Sequence, residues 1–114
     1  MKSNVEKIST FLFEAHEAGD KFVNLEKGMK PKDFNEAYQI QKQLRQKLPR
    51  GPLGGYKIAL SSKIQQDYHK ISHPVYGGLF KNEIFTSPKT VVLENYHRMS
   101  VEFELAFELS DRII

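Results

Sequence analysis

Glu102 and Glu104 are the residues whose type and spacing could most readily do chemistry in this chain. They lie in SVEFELAFEL (100–109), where Glu102, Glu104 and Glu108 alternate with Val101, Phe103, Leu105, Phe107 and Leu109. In an extended strand, residues two apart share a face at roughly 6.5–7 Å. Two ionised carboxylates at that distance repel unless a cation lies between them, and oxygen-only ligands suit Mg2+, Mn2+ or Ca2+. A solvated strand face is the ordinary use of such a row, and alternation alone does not separate the two readings.

Lys57 is the second candidate. In GGYKIAL (54–60) a strand turns it away from Tyr56 and Ile58. A lysine beside glycines at a strand end can approach a ligand carboxylate, or exchange protons once desolvated. An edge lysine that blocks aggregation is the plainer use. His16, His69, His73 and His97 form neither an HxxxH nor an HxH set, so a histidine metal cluster is not expected. Arg98, in YHR (96–98), is a rim charge that could meet an anion. Gly54-Gly55 and Gly77-Gly78 fit no phosphate-loop pattern, and Ser61 and Ser62 lack the GxSxG setting of a serine nucleophile.

The elements that must position these residues divide the chain in two. Residues 1–50 read as a helical region and 51–114 as a β-rich one. Val5, Ile8, Phe11, Leu12, Ala15, Ala18 and Phe22 recur at helical spacing and predict a helix over 4–22. Asp33 and Glu36 form a capping-box pattern for a second helix, whose stripe is Phe34, Ala37, Tyr38, Gln41, Leu44 and Leu48 and which Pro49 ends. A strand at 55–60, a short helix at 61–70 with Ser62 and Gln65 as its cap, and a turn and strand at 73–80 follow. One or two further strands are expected in EIFTSPKTVVLENY, before the alternating strand at 100–109. The chain stops shortly after that strand, so the sheet is expected to be incomplete.

Composition narrows the class. The chain has 114 residues, 39% of them hydrophobic and 27% charged, with a net charge of +3 and no biased tract. Lysines are scattered among glutamates, so nucleic-acid binding is not expected. With no cysteine there is no disulfide, thiol nucleophile or thiolate metal site. The charged N-terminus has no apolar run of signal-peptide or membrane length, and a cytoplasmic location is the default.

Four stretches taken together resemble a known family. DFNEAYQIQKQL, GGYKIALSSKIQQ, HPVYGGLF and SVEFELAFEL are similar, in order and spacing across residues 33–109, to the 2-keto-4-pentenoate hydratase and 4-oxalocrotonate decarboxylase family. That family belongs to the fumarylacetoacetate hydrolase superfamily. Its pattern runs as an A-Y-x-[IV]-Q helix, a G-[YH]-K-[IM]-[GA]-L-[TS]-S strand and turn, a P-x-[YF]-G turn and a V-E-x-E-[IL]-A-F strand.

The resemblance implies an α+β fold, with N-terminal helices leading into the first part of a mixed β-roll of the fumarylacetoacetate hydrolase type. It implies a Mg2+- or Mn2+-dependent lyase acting on 2-oxo or 2-hydroxydienoic acids of aromatic catabolism, assembled as a homo-oligomer. Glu102 and Glu104 match the first two metal ligands, Lys57 the lysine that assists proton transfer beside the substrate, and Ser61 and Ser62 the substrate-facing turn. The family's third acidic ligand comes about thirty residues after E-x-E, beyond residue 114. Val75 stands where hydratases of the family often carry an acid, which leans the expectation toward a decarboxylase. A hydratase, or a non-catalytic remnant that only associates with partner chains, are the alternatives.

Overall fold

A computed structural model describes residues 1–20, 23–96 and 98–112. Helix α1 spans Asn4–Glu17, and Ser3 caps it by accepting from the Glu6 amide at 3.2 Å. It ends earlier than its apolar spacing predicts. Gly19 adopts φ +82°, the Gly19 amide donates to the His16 carbonyl, and the Asp20 amide donates to the Ala15 carbonyl at 2.8 Å. This paired closure is a Schellman motif, and the left-handed residue it needs is cheapest as glycine. Lys21 and Phe22, the last positions of the expected helix, lie outside the described residues, as do His97, Ile113 and Ile114.

Helix α2 spans Phe34–Lys47, with the Glu36 amide donating to Asp33 Oδ1 at 2.8 Å. The capping box forms in a shifted version. Glu36 Oε2 accepts from the Lys32 amide at 2.7 Å, one residue before the cap, and from Asn4 Nδ2 at 3.1 Å. Glu36 is therefore buried and ties the start of α2 to the start of α1.

Two faces of α2 are used, where the sequence pattern predicts one stripe. Ile40 packs in the core with Ile8, which is fully buried. Beside them Ser9 Oγ lies 3.0 Å from Gln43 Oε1 and 3.2 Å from the Glu6 carbonyl, so this buried hydroxyl is satisfied within the helix pair. The other face meets the sheet. Tyr38 stacks on Tyr76 (centroids 4.3 Å, 11°), Phe34 meets His73 edge-on at 4.6 Å, and Gln41 Nε2 donates to the Tyr76 carbonyl at 3.2 Å. Gln41, Tyr38 and Phe34 belong to the predicted stripe; Ile40 does not.

Strand β1 (Leu53–Ala59) pairs antiparallel with β2 (Val75–Phe80), and helix α3 (Lys63–His69) connects them. The register places Lys57 opposite Gly77, Tyr56 opposite Gly78 and Ile58 opposite Tyr76. A bulge at Gly54 separates the Leu53–Phe80 pair from the Gly55–Leu79 pair. A Cβ on Gly54 would lie 2.5 Å from Lys81 Cα, so the bulge brings two backbones closer than any other residue allows. Phe80 is buried, with the Arg50 guanidinium 4.8 Å from its ring centroid.

The β-rich half departs from expectation in two places. Between 81 and 96 the described chain forms 3-10 turns at Lys81–Glu83 and Leu93–Asn95, with no strand. Pro88 removes a ladder donor from the middle of this stretch. Residues 101–109 alternate as predicted, but no ladder pairs them among the described residues. A strand requires a partner's hydrogen bonds as well as a pattern. The side expected to face a core is exposed, Phe103 to 99%. The radius of gyration, 15.9 Å, accordingly exceeds the roughly 13 Å of a closed domain of this length.

Candidate functional site

Lys57 sits in the middle of β1, on the face shared with Gly55, Ala59, Val75 and Gly77. Tyr56, Ile58 and Tyr76 occupy the opposite face, where Tyr56 meets Tyr76 edge-on at 5.7 Å. The aromatic face is docked on α2 through Tyr38, so the helix orients the sheet and turns Lys57 to the far side. Across the ladder from Lys57, a Cβ on Gly77 would meet nothing within 4 Å. Side chains directly opposite on paired strands lie about 4.5–5.5 Å apart, so glycine at this point leaves room beside the ammonium.

The partners of the ammonium come from outside the sheet. Lys57 Nζ donates to Glu102 Oε2 at 3.0 Å and to Glu104 Oε1 as well, 45 and 47 positions along the chain. Two carboxylates two residues apart thus share a side, as their alternation predicts, and both meet one cationic atom. The pair shifts both sides. The Glu104 and then the Glu102 carboxylate hold the Lys57 ammonium above the ordinary lysine value, and the Lys57 hydrogen bond holds Glu102 below the ordinary carboxylate value. All three side chains remain partly exposed. The interaction is therefore screened by solvent and salt, and its importance is positional.

Ser61 and Ser62 follow in the turn after β1, where Leu60 takes φ 56° and its carbonyl accepts from Gln66 Nε2 at 2.8 Å. Ser62 Oγ accepts from the Gln65 amide at 3.3 Å and caps α3, the role its spacing predicts. Ser61 is exposed beside it. No hydrogen bond joins either serine to Lys57, Glu102 or Glu104 among the described residues. Glu108 is exposed as well. His73 Nδ1 lies 2.8 Å from the Pro74 carbonyl and its ring meets Phe34, while His16 Nδ1 lies 2.8 Å from the Leu12 carbonyl. Both rings have local structural partners. Among the described residues no group of three or more His, Asp or Glu converges. Gly77 bears on the site through register, which the sequence does not display.

Curated proteins with related sequences share one activity name. The chain is similar to hydratases. Over 79 residues it is 35% identical to a 2-oxo-hept-4-ene-1,7-dioate hydratase of Escherichia coli, a match covering 68% of this chain and 30% of that protein. Over 107 residues it is 30% identical to a 2-keto-4-pentenoate hydratase of Paraburkholderia xenovorans (strain LB400), covering 91% of this chain and 39% of that protein. A 2-keto-4-pentenoate hydratase 3 of Pseudomonas putida matches to the same extent. The chain thus spans between 30% and 39% of the length of these relatives. No family model matches, and no solved structure matches. The decarboxylase expectation drawn from Val75 has no counterpart in the three names. No described helix is long and apolar enough to cross a membrane.

Proposed function

We propose that this chain belongs to the 2-keto-4-pentenoate hydratase and 4-oxalocrotonate decarboxylase family, and that it carries the lysine and acidic-segment part of a lyase site for small 2-oxo or 2-hydroxydienoic acids. One observation carries this reading: Glu102 and Glu104 reach across to Lys57 on β1, within a chain similar to hydratases of 2-keto acids. Substrates, metal and activity of the hydratase-length protein rest on the same reading.

The donor set fits two ligands of an oxygen-coordinated divalent ion, because both carboxylates already turn toward one positive centre. Glu102 and Glu104 would hold Mg2+ or Mn2+, with the remaining ligands supplied from elsewhere. Such an ion supplies Lewis-acid polarisation of an oxo-acid oxygen when bound. Lys57, held protonated by its neighbours, is a hydrogen-bond donor to an anionic substrate oxygen, and proton transfer at Nζ would require the substrate or a bound ion to displace Glu102 and Glu104. Gly77 leaves space for a small acid beside it. The Ser62 hydroxyl accepts a backbone hydrogen bond through oxygen, and among the described residues neither its O–H nor that of the exposed Ser61 has an acceptor, so both could donate to substrate.

Hydration is the first reading, since the related proteins carry hydratase names. Decarboxylation is the second, on one observation: Val75 is half-buried in the sheet opposite Ala59, so no carboxylate stands there to activate water. Calorimetric titration of Mn2+ and Mg2+ into the chain tests the site. Wild type is expected to bind weakly, and Glu104→Gln to lose that binding. Equal binding by the variant removes Glu104 from the ligand set, and no heat from wild type at millimolar ion favours a module without chemistry of its own.

A further inference from the structure

We propose that Lys57 competes with a divalent ion for Glu102 and Glu104, and that the ammonium, once displaced, folds over Gly77 and frees residues 101–109 from β1. The competition presupposes that both glutamates are ion ligands, as proposed above, and adds a control on that site. Both carboxylates end on one atom, Lys57 Nζ, which lies 3.0 Å from Glu102 Oε2. A divalent ion takes carboxylate oxygens at about 2.0–2.6 Å. An ion that both glutamates reach therefore lies where the ammonium sits. Positive charges so close repel, and one point between two oxygens cannot hold both.

Two features let the exchange proceed without disturbing the fold. The three side chains are partly exposed, and ion pairs in water are weak, so little holds the ammonium against a doubly charged rival. Register supplies the place to which it retreats. Lys57 pairs with Gly77, and a Cβ there would meet nothing within 4 Å. Paired side chains stand about 4.5–5.5 Å apart, so the flexible lysine stem reaches the space over the glycine without leaving β1. Among the described residues no ladder pairs 101–109, so the segment has no backbone bonds to the sheet once Nζ lets go.

Calorimetric titration of Mn2+ at neutral pH into wild type and variants tests this. Lys57→Met removes the rival charge and should bind Mn2+ about three- to tenfold more tightly than wild type. Lys57→Arg keeps a cation and should not tighten binding. Gly77→Leu fills the retreat and should weaken binding, and that loss should vanish when Lys57→Met is added. In a second readout, Mg2+ should move the 13C signals of Lys57 Cε and the Glu102 carboxyl together over one concentration range. Equal binding by wild type and Lys57→Met, or tighter binding by wild type, overturns the competition and leaves the ligand assignment standing. A Glu102 shift without a Lys57 shift does the same. A Gly77→Leu loss that persists beside Lys57→Met overturns the retreat over Gly77. No binding by wild type or Lys57→Met at millimolar ion removes the ligand assignment, and the competition with it.

Discussion

Lys57 Nζ lies 3.0 Å from Glu102 Oε2, and this contact joins the middle of β1 to a segment that has no ladder partner of its own. Together with the Glu104 contact it makes the polar link between the sheet and residues 101–109 among the described residues. A strand pattern without a strand's hydrogen bonds is thereby held in place by charge.

Lys57→Met should release that segment. Proteolytic cleavage within 101–109 is expected to rise, while the thermal midpoint hardly moves, because solvent-exposed ion pairs add little to global stability. Limited proteolysis read by mass spectrometry checks the first and a thermal melt the second. An unchanged cleavage rate within 101–109 would show that something else anchors it.

The same contact has a defined pH window. Glu102 is held below its ordinary value, so its contribution is present above the ordinary carboxylate range and is lost as pH falls through the lowered one. Lys57 is held above its ordinary value, so its contribution is complete below the ordinary lysine value and is lost as pH rises through the raised one. The attachment of 101–109, followed through the Glu102 carboxyl 13C shift, should therefore be flat through neutrality and fall in acid and in strong alkali. High salt should weaken it at every pH.

Helix caps make a second pair of variants with separable outcomes. Asp33→Ala should cost about 0.5–2 kcal/mol in urea unfolding, since the Glu36 amide loses its acceptor at the start of α2. Ser62→Ala removes the cap of the shorter α3 and should fray that helix locally, visible as raised exchange at 63–66. Ser61→Ala should do neither.

Two glycines of the sheet should respond in opposite ways. Gly54→Ala forces a Cβ against the Lys81 backbone and should destabilise by about 1–3 kcal/mol. Gly77→Ala meets open space and should be tolerated, but a larger residue such as Gly77→Leu should crowd Lys57 and weaken any cation or substrate binding there. Urea titrations and the calorimetric assay separate the two effects.

The local elements are legible from the residues alone: both caps that Asp33 and Ser62 supply, the two helices, the two short strands, and the alternation that puts Glu102 and Glu104 on one side. These rest on short-range rules of spacing, capping and periodicity, which need no distant partner. The stop of α1 at Glu17 is local as well, made by the left-handed turn of Gly19 and its closing hydrogen bonds. The rest depends on distant partners. That α2 serves two neighbours, burying Ile40 on one side and stacking Tyr38 on the other, depends on where β2 lies. That Gly77 faces Lys57 depends on register, and that Lys57 gathers two glutamates from 45 and 47 positions away depends on the path of the intervening chain. Whether an alternating segment becomes a strand depends on a partner's N–H and C=O groups, which no residue within the segment can provide.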